Sequence, residues 1–538
     1  MSAFDASTSR RSFLRYSGIA ASAAGLAATL AACGSSDDDA AERTPTTGNG
    51  DQGQIVASIS YELGTNGYDP MTTTSALTIA ANWHTMEGLT EVDPATREVY
   101  AALADSLPEP GSDTSFEITL RDGATFHNGE TVTAEDVVYS FERVLDEENN
   151  SLYAGFIPFI SSVTAKDEKT VTFELAYPVG VIAERLSVVK IVPQAAVEAD
   201  AEGFDANPVG TGPYSMTDNG ASSGTVRFEK FADYSGPKPA RAASMVWNIM
   251  PDPSARTNAL SSGEVQAIDS VPYLSIPQLE GSSEVESVQG FGLLFAMFNH
   301  AESSPFSDVK ARQAFLYALD MDEIIGTGLR GQAEAATCFV HREHPAYQEA
   351  AMVYTKDQDK ARELFQEAGI SSFRLMATDH DWVKACTPII QQNLQAAGVT
   401  VDFSERQSSD AYNTIDGSPE AYDALIAPGD PSVFGNDADL LMRWWYGSEV
   451  WTDSRMHWKG SDSHATMQEL LDTGLRATDE SVQMDTWHEA FDLVSEEVPL
   501  YPLFHRKTPT AWDADSLSDF TPISLTGLSF VGVGSNRQ

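Results

Sequence analysis

Two short stretches carry side chains suited to holding a charged small molecule. Asp379-His380-Asp381-Trp382 and Pro428-Gly429-Asp430-Pro431 each follow an apolar run and join carboxylates to aromatic or turn-forming residues. A carboxylate in a closing, water-poor cleft matches an ammonium group through a charge-assisted hydrogen bond. Asp before Pro also caps turns, so Asp430 has a second, structural reading. Aromatic side chains follow closely: Phe434, then Trp444, Trp445, Tyr446, Trp451 and Trp458. Such rings stack on sugars, fill side-chain pockets or pack a lobe. Tyr61 and Trp83 are further candidates earlier in the chain, and Arg374 and Arg406 are guanidinium groups for a ligand carboxylate or for a surface pair.

Residues for catalysis are harder to assemble. The pairs His341/His344 and His457/His464 have neither zinc-motif spacing nor the i, i+4 spacing of a helix face. With 79 Asp and Glu residues, paired carboxylates arise by chance, so counting alone does not exclude a secreted glycoside hydrolase. Turnover discriminates the two classes, because an enzyme consumes its ligand and a binder returns it.

The elements that must position these loops are legible from periodicity. "SFEITL" at 115–120 and "TVTFEL" at 170–175 alternate as half-buried strands do. Between them Thr133-Ala134-Glu135-Asp136 starts a helix with apolar positions Val137, Val138, Phe141, Val144 and Leu145. Farther on, Ala361, Leu364, Phe365 and Ala368 form one helical face closed by Gly369, followed by the strand "FRLMAT". A helix over roughly 385–397 ends at Gly398, "VTVDF" follows, and "AYDALIA" at 421–427 runs into Pro428. Helix, glycine, strand in repetition predicts a mainly parallel sheet, with ligands beyond the carboxyl ends of its strands. That places the two loops of the opening sentence at the site.

The chain has 538 residues, enough for two to four domains, and a net charge of −46 that argues against nucleic acid or an anionic membrane surface as partner. The acid excess suits a saline exterior or an ordinary acidic surface. Near the start, Arg10, Arg11 and Arg15 precede an uncharged run from Gly18 to Ala32, shorter than the roughly 20 residues of a membrane span. Ser9-Arg10-Arg11-Ser12-Phe13-Leu14 resembles a twin-arginine export signal, and Leu30-Ala31-Ala32-Cys33 resembles a bacterial lipobox. The resemblance implies a signal peptide over 1–32, a lipid on Cys33, a polar tether over 33–54, and a mature protein moored outside the cytoplasmic membrane. Cys338 and Cys386 remain, as a disulfide or as two free buried thiols.

Several motifs resemble one family, the extracellular solute-binding proteins of ABC importers (family 5) that include dipeptide and oligopeptide binders. They are "LADSLPEPGSDTSFEITLRDGATFHNGETVTAEDVVYSFERV" at 103–144, "NPVGTGPYSM" at 207–216, "ALSSGEVQAID" at 259–269, "FNHAESSPFSDVKARQAFLYALDMDEII" at 298–325 and "EAFDLVSEEVPLYPLFHR" at 489–506. The resemblance implies an α/β, two-lobed, periplasmic-binding-protein-like fold of type II, with residues 55–295 plus 497–538 as lobe I, 86–190 as an inserted subdomain, and 296–496 as lobe II. It implies hinge crossings near 292–300 and 499–506, a monomer without catalyst, cofactor or metal, and separate permease and ATPase chains as partners. In peptide-binding members an Asp after the corresponding strand pairs with the peptide ammonium, and Asp430 stands at that place. Here the following residues, Pro431 to Asp439, depart from the usual spacing and add acids. Short peptides are the expected cargo, with a sugar, metal chelate or other small solute as the alternative. Physically, His127 and the turn Gly210-Thr211-Gly212-Pro213-Tyr214 read as loop scaffolding rather than ligand chemistry.

Overall fold

The computed structural model describes residues 52–63, 67–108 and 113–538. The export signal, Cys33 and nearly all of the tether lie outside the described residues.

The segment around the first motif folds locally. Thr133 caps the helix Ala134–Leu145 in a capping box: its hydroxyl accepts from the Asp136 amide at 3.4 Å, and the Asp136 carboxylate accepts from the Thr133 amide at 3.0 Å. Val137, Phe141 and Val144 face inward from this helix, while Val138 and Leu145 are half-buried. Phe141 meets Phe173 edge-on at 5.1 Å, on the middle strand of a three-stranded antiparallel sheet ordered Ser115–Thr119, Thr170–Leu175, Ile160–Ala165. His127 clamps the Gly210–Gly212 turn, with Nε2 3.0 Å from the Gly212 carbonyl and Nδ1 accepting from the Gly210 amide at 3.3 Å. A Cβ at Gly210 would sit 2.0 Å from the Thr85 carbonyl oxygen, so backbone approach to the end of the helix Ala76–Thr85 demands glycine there.

The main sheet has eleven strands and runs through the molecule. From one edge its order is Thr400–Arg406, Ser372–Thr378, Ala424–Gly429, Glu284–Phe298, Leu500–Trp512, Ala267–Ile268, Gln54–Ile59, Ser244–Ile249, Thr225–Lys230 and Tyr214–Asn219, with Ala333–Ala335 also pairing Leu500–Trp512. The sheet is mixed, which corrects the mainly parallel expectation. Pairing is parallel around Ser372–Thr378 and around Gln54–Ile59, and antiparallel elsewhere. The helix–glycine–strand rhythm reports only local units, whereas the antiparallel centre joins strands about two hundred residues apart.

That centre is two long strands, Glu284–Phe298 and Leu500–Trp512, whose register breaks between Gln289 and Leu293. Before the break the first of them alternates between exposed and half-buried; from Phe291 onward it is fully buried. The break separates two apolar bodies, one around Trp247, Tyr214 and Phe228, the other including Leu293 to Phe298 and the helices after residue 309.

Two further departures concern boundaries and thiols. The helix read from 385 begins at Asp381, which draws Asp381 and Trp382 out of the loop into its first turn. His380 at its N-cap makes no side-chain cap bond, so the usual Ser/Thr/Asp signal is missing, and Pro388 lies inside the helix. Cys338 and Cys386 are free and buried rather than bridged. Cys386 donates to the Trp382 carbonyl at 3.3 Å and lies against Gly328, where a Cβ would be 2.9 Å from its sulfur. Burial pushes the two thiols up to about 11 and about 12. In the chain from residue 34, which lacks Cys33, a thiol reagent at neutral pH is therefore expected to leave the folded protein unlabelled and to modify Cys338 and Cys386 after denaturation; labelling in the folded state would contradict this packing.

Candidate ligand-binding cleft

Asp430 stands immediately after the strand Ala424–Gly429, beside the register break. Leu293 pairs with Gly429 on one side and His505 on the other, which sets Asp430 and Arg506 on either side of the strand Glu284–Phe298, with Gly292 beside Asp430. A Cβ on Gly292 would approach the Asp430 carboxylate to 3.6 Å. The Asp430 carboxylate accepts from the Ser432 hydroxyl at 2.5 Å and from the Thr526 amide and hydroxyl at 3.2 and 3.3 Å. Burial raises its pKa above the ordinary carboxylate value; the Ser432 bond and the charges of Arg506 and Arg97 oppose that rise.

Arg506 is 4 % exposed. Its guanidinium lies over the Trp382 ring, 4.8 Å from the centroid, and the Tyr61 and Tyr273 hydroxyls help hold its charge against burial. Arg97 takes a left-handed conformation, φ +63°, at the end of a turn tied by Asp93. Its Nη2 donates to the Ser432 carbonyl at 2.5 Å. Among the described residues neither guanidinium forms an ion pair with a carboxylate. Tyr61 and His380 face each other with centroids 6.1 Å apart. His380 is held neutral by burial, its pKa lowered to about 4, and its Nδ1 is 3.1 Å from the Thr378 hydroxyl.

Next to this cluster is a cavity of about 50 Å³ lined by Trp83, Arg97, Tyr153, Phe434 and the ion pair Lys190–Glu91 (2.5 Å). Phe434 packs on Tyr153 at 5.2 Å and on Trp444 at 5.1 Å, and Trp444 stacks with Phe156 at 6.0 Å. Below them Arg185, with no exposed side-chain surface, holds Asp437 at 2.6 Å and Asp439 at 2.7 Å. Glu184 accepts from the Asn436 amide at 2.6 Å.

The structure thus brings Asp430, Tyr61, His380 and Trp382 together around Arg506, and Trp83, Phe434 and Trp444 around the neighbouring cavity. Trp445 goes elsewhere. It is 1 % exposed and packs edge-on against Phe295 and Phe339 in the core, where Tyr446, Trp451 and Trp458 are also buried. Gly429 serves that packing, because a Cβ there would meet the Trp445 ring at 2.4 Å. Arg374 and Arg406 are engaged by Asp423 and Asp410. The residues that sequence reasoning missed are Arg97, Arg506, Tyr273 and Thr526. For Arg506 a signal existed: a charge inside an otherwise apolar strand, "LYPLFHR", must have a reason to be buried.

The model of the bacterial extracellular solute-binding proteins, family 5, matches residues 98–467. The chain belongs to this family. The glutathione-binding protein GsiB of Escherichia coli K12 is 24% identical over 471 residues, 86% of this chain and 91% of the relative. Among solved structures, the binding protein AgaA of A. tumefaciens R10 in complex with agropinic acid is 26% identical with a TM-score of 0.79, covering 90% of this chain and 99% of that one. The oligopeptide-binding protein AppA of Bacillus subtilis with a nonapeptide has a TM-score of 0.77 at 19% identity, over 88% and 97% of the two chains. The two-lobed type II fold is therefore that of family 5.

Proposed function

We propose that the protein is a lipid-anchored receptor that captures a short peptide outside the cytoplasmic membrane and delivers it to an ABC permease. The observation that carries the cargo is Asp430, a half-buried carboxylate at the end of a strand beside the register break, suited to an ammonium group. The relatives add support: glutathione, a nonapeptide and agropinic acid are the ligands their names give. Residues 55–295 with 497–538 would form the first lobe, 86–190 its inserted subdomain and 296–496 the second lobe. The two long strands then act as the hinge, and ligand binding favours the closed state that a permease recognises. Cys33 would carry the lipid, with permease and ATPase as separate chains and the receptor itself a monomer without cofactor.

Native mass spectrometry of the chain from residue 34, purified without denaturation, tests the cargo. Every described helix and strand lies at or beyond Gln54, so this form keeps the whole fold. Released species that resolve into short peptides are expected. A sugar, or a metal chelate without an amine, would overturn the peptide reading while leaving the receptor role.

A further inference from the structure

We infer that the cleft recognises a free amino-acid head group, an ammonium and a carboxylate borne on one carbon, with Asp430 taking the ammonium and Arg506, assisted by Arg97, taking the carboxylate. This rests on the reading of the protein as an importer receptor for amino-acid-derived solutes and narrows it to a class of linkage.

Three observations carry it. Asp430 and Arg506 stand on the two strands that flank Glu284–Phe298, each next to a residue that pairs with Leu293, so their backbones are about two strand spacings apart, on the order of 10 Å. Gly292, beside the Asp430 carboxylate, adds no side chain to the floor there, and the charge of Arg506 acts on that carboxylate across the gap.

Next, the guanidinium of Arg506 is buried without a carboxylate partner among the described residues, and lies flat on Trp382. A buried cation in that condition is costly unless something anionic joins it. The other carboxylates nearby are committed: Asp269 to the Ser60 amide and hydroxyl, Asp93 to Lys238, and Glu184 to the Asn436 amide. Asp430 itself is spent on Ser432 and Thr526, with room for one more donor on its carboxylate.

Finally, Arg97 reaches the Ser432 carbonyl, two residues from Asp430, and adds a second positive charge. Two guanidinium groups with no ion-paired carboxylate among the described residues favour a ligand that brings a free carboxylate with its amine. The N-terminus of an ordinary α-peptide offers Asp430 its ammonium but offers Arg506 only an amide carbonyl. A side-chain-linked conjugate, whose α-ammonium and α-carboxylate are both free, satisfies both.

The test compares two isomers of identical composition and net charge, γ-glutamylglycine and α-glutamylglycine, titrated calorimetrically into the chain from residue 34 after bound ligand has been stripped. Only the γ-isomer carries ammonium and free carboxylate on the same carbon. It is expected to bind about tenfold tighter or better, and Arg506→Gln is expected to reduce it to the level of the α-isomer. Equal or tighter binding of the α-isomer overturns the inference and leaves the receptor for peptides intact. No binding of either isomer at millimolar concentration, or an Arg506→Gln protein that keeps the preference, also overturns it. Should Arg506→Gln fail to fold, the half-exposed Arg97→Gln is expected to narrow the preference, and an unchanged preference counts against the inference. Failure of the reading on which this rests, a cargo derived from amino acids, shows separately, as a released ligand that has no amine.

Discussion

Replacing Arg185 with leucine is expected to lower stability by about 3–5 kcal/mol, the cost of stranding buried carboxylates. Burial works against the charge of Arg185, and Asp437 with Asp439 more than restores it. The side chain is wholly buried, its Nε and Nη2 grip Asp437 at 2.8 and 2.6 Å, and its Nη1 donates to the Phe156 carbonyl at 2.5 Å. Without it Asp439 retains Arg443 at 2.8 Å, but Asp437 loses its only guanidinium partner. Urea unfolding should show the midpoint falling with little change in slope. Arg185→Lys should recover only part of the loss, since an ammonium cannot make the paired contact with Asp437. A loss below about 1 kcal/mol would equate this cluster with an exposed ion pair, and would remove the case for it as the clasp between the segment around Phe156 and the turn that carries Phe434.

Which parts of this arrangement were legible in the sequence follows from how local each cause is. Capping, glycine stops and alternation act over a few residues, and the helix after Thr133 and the stop at Gly369 lie where those signals put them, while the strand expected over 421–427 runs Ala424–Gly429 and takes Pro428 and Gly429 out of the loop. The helix at Asp381 carries no such signal at its start, and its boundary was misplaced accordingly. Side-chain destinations are less local still. Nothing within the run Trp444-Trp445 says that one ring meets Phe156 while its neighbour is sealed against Phe295; that follows from helical rotation at the site. Arg97 and Arg506 are separated by four hundred residues and meet only because a turn and a central strand converge on Ser432 and Trp382. The Asp430 loop could be found because the end of a strand is a local feature. Of its guanidinium neighbours only Arg506 left a local trace, a charge within an apolar strand; that neither forms an ion pair among the described residues is written in no short stretch.

Asp430→Asn is expected to weaken an amine-bearing ligand by about 2 kcal/mol or more, roughly 30-fold, as the loss of one partner of a buried charge pair. The same change has the opposite sign for the unliganded fold. Burial raises the Asp430 pKa above its unfolded value, so ionised Asp430 is a cost to the empty protein at neutral pH, and that cost fades as the pH falls through the raised value. Asparagine keeps an acceptor for Ser432 or Thr526 and removes the charge, so the unliganded variant should be as stable as the parent or more so. Affinity runs the other way with pH. The ammonium needs the ionised carboxylate, so binding to the parent is full above the raised pKa and falls by up to tenfold per pH unit below it, while the asparagine variant shows no such step. Calorimetry across pH 4 to 8 on both proteins, alongside thermal unfolding, separates the two roles that Asp before Pro offers. A residue that only caps the turn would lose stability on substitution and leave affinity and its pH profile unmoved; a ligand-binding carboxylate loses affinity and its acid limb while the fold holds.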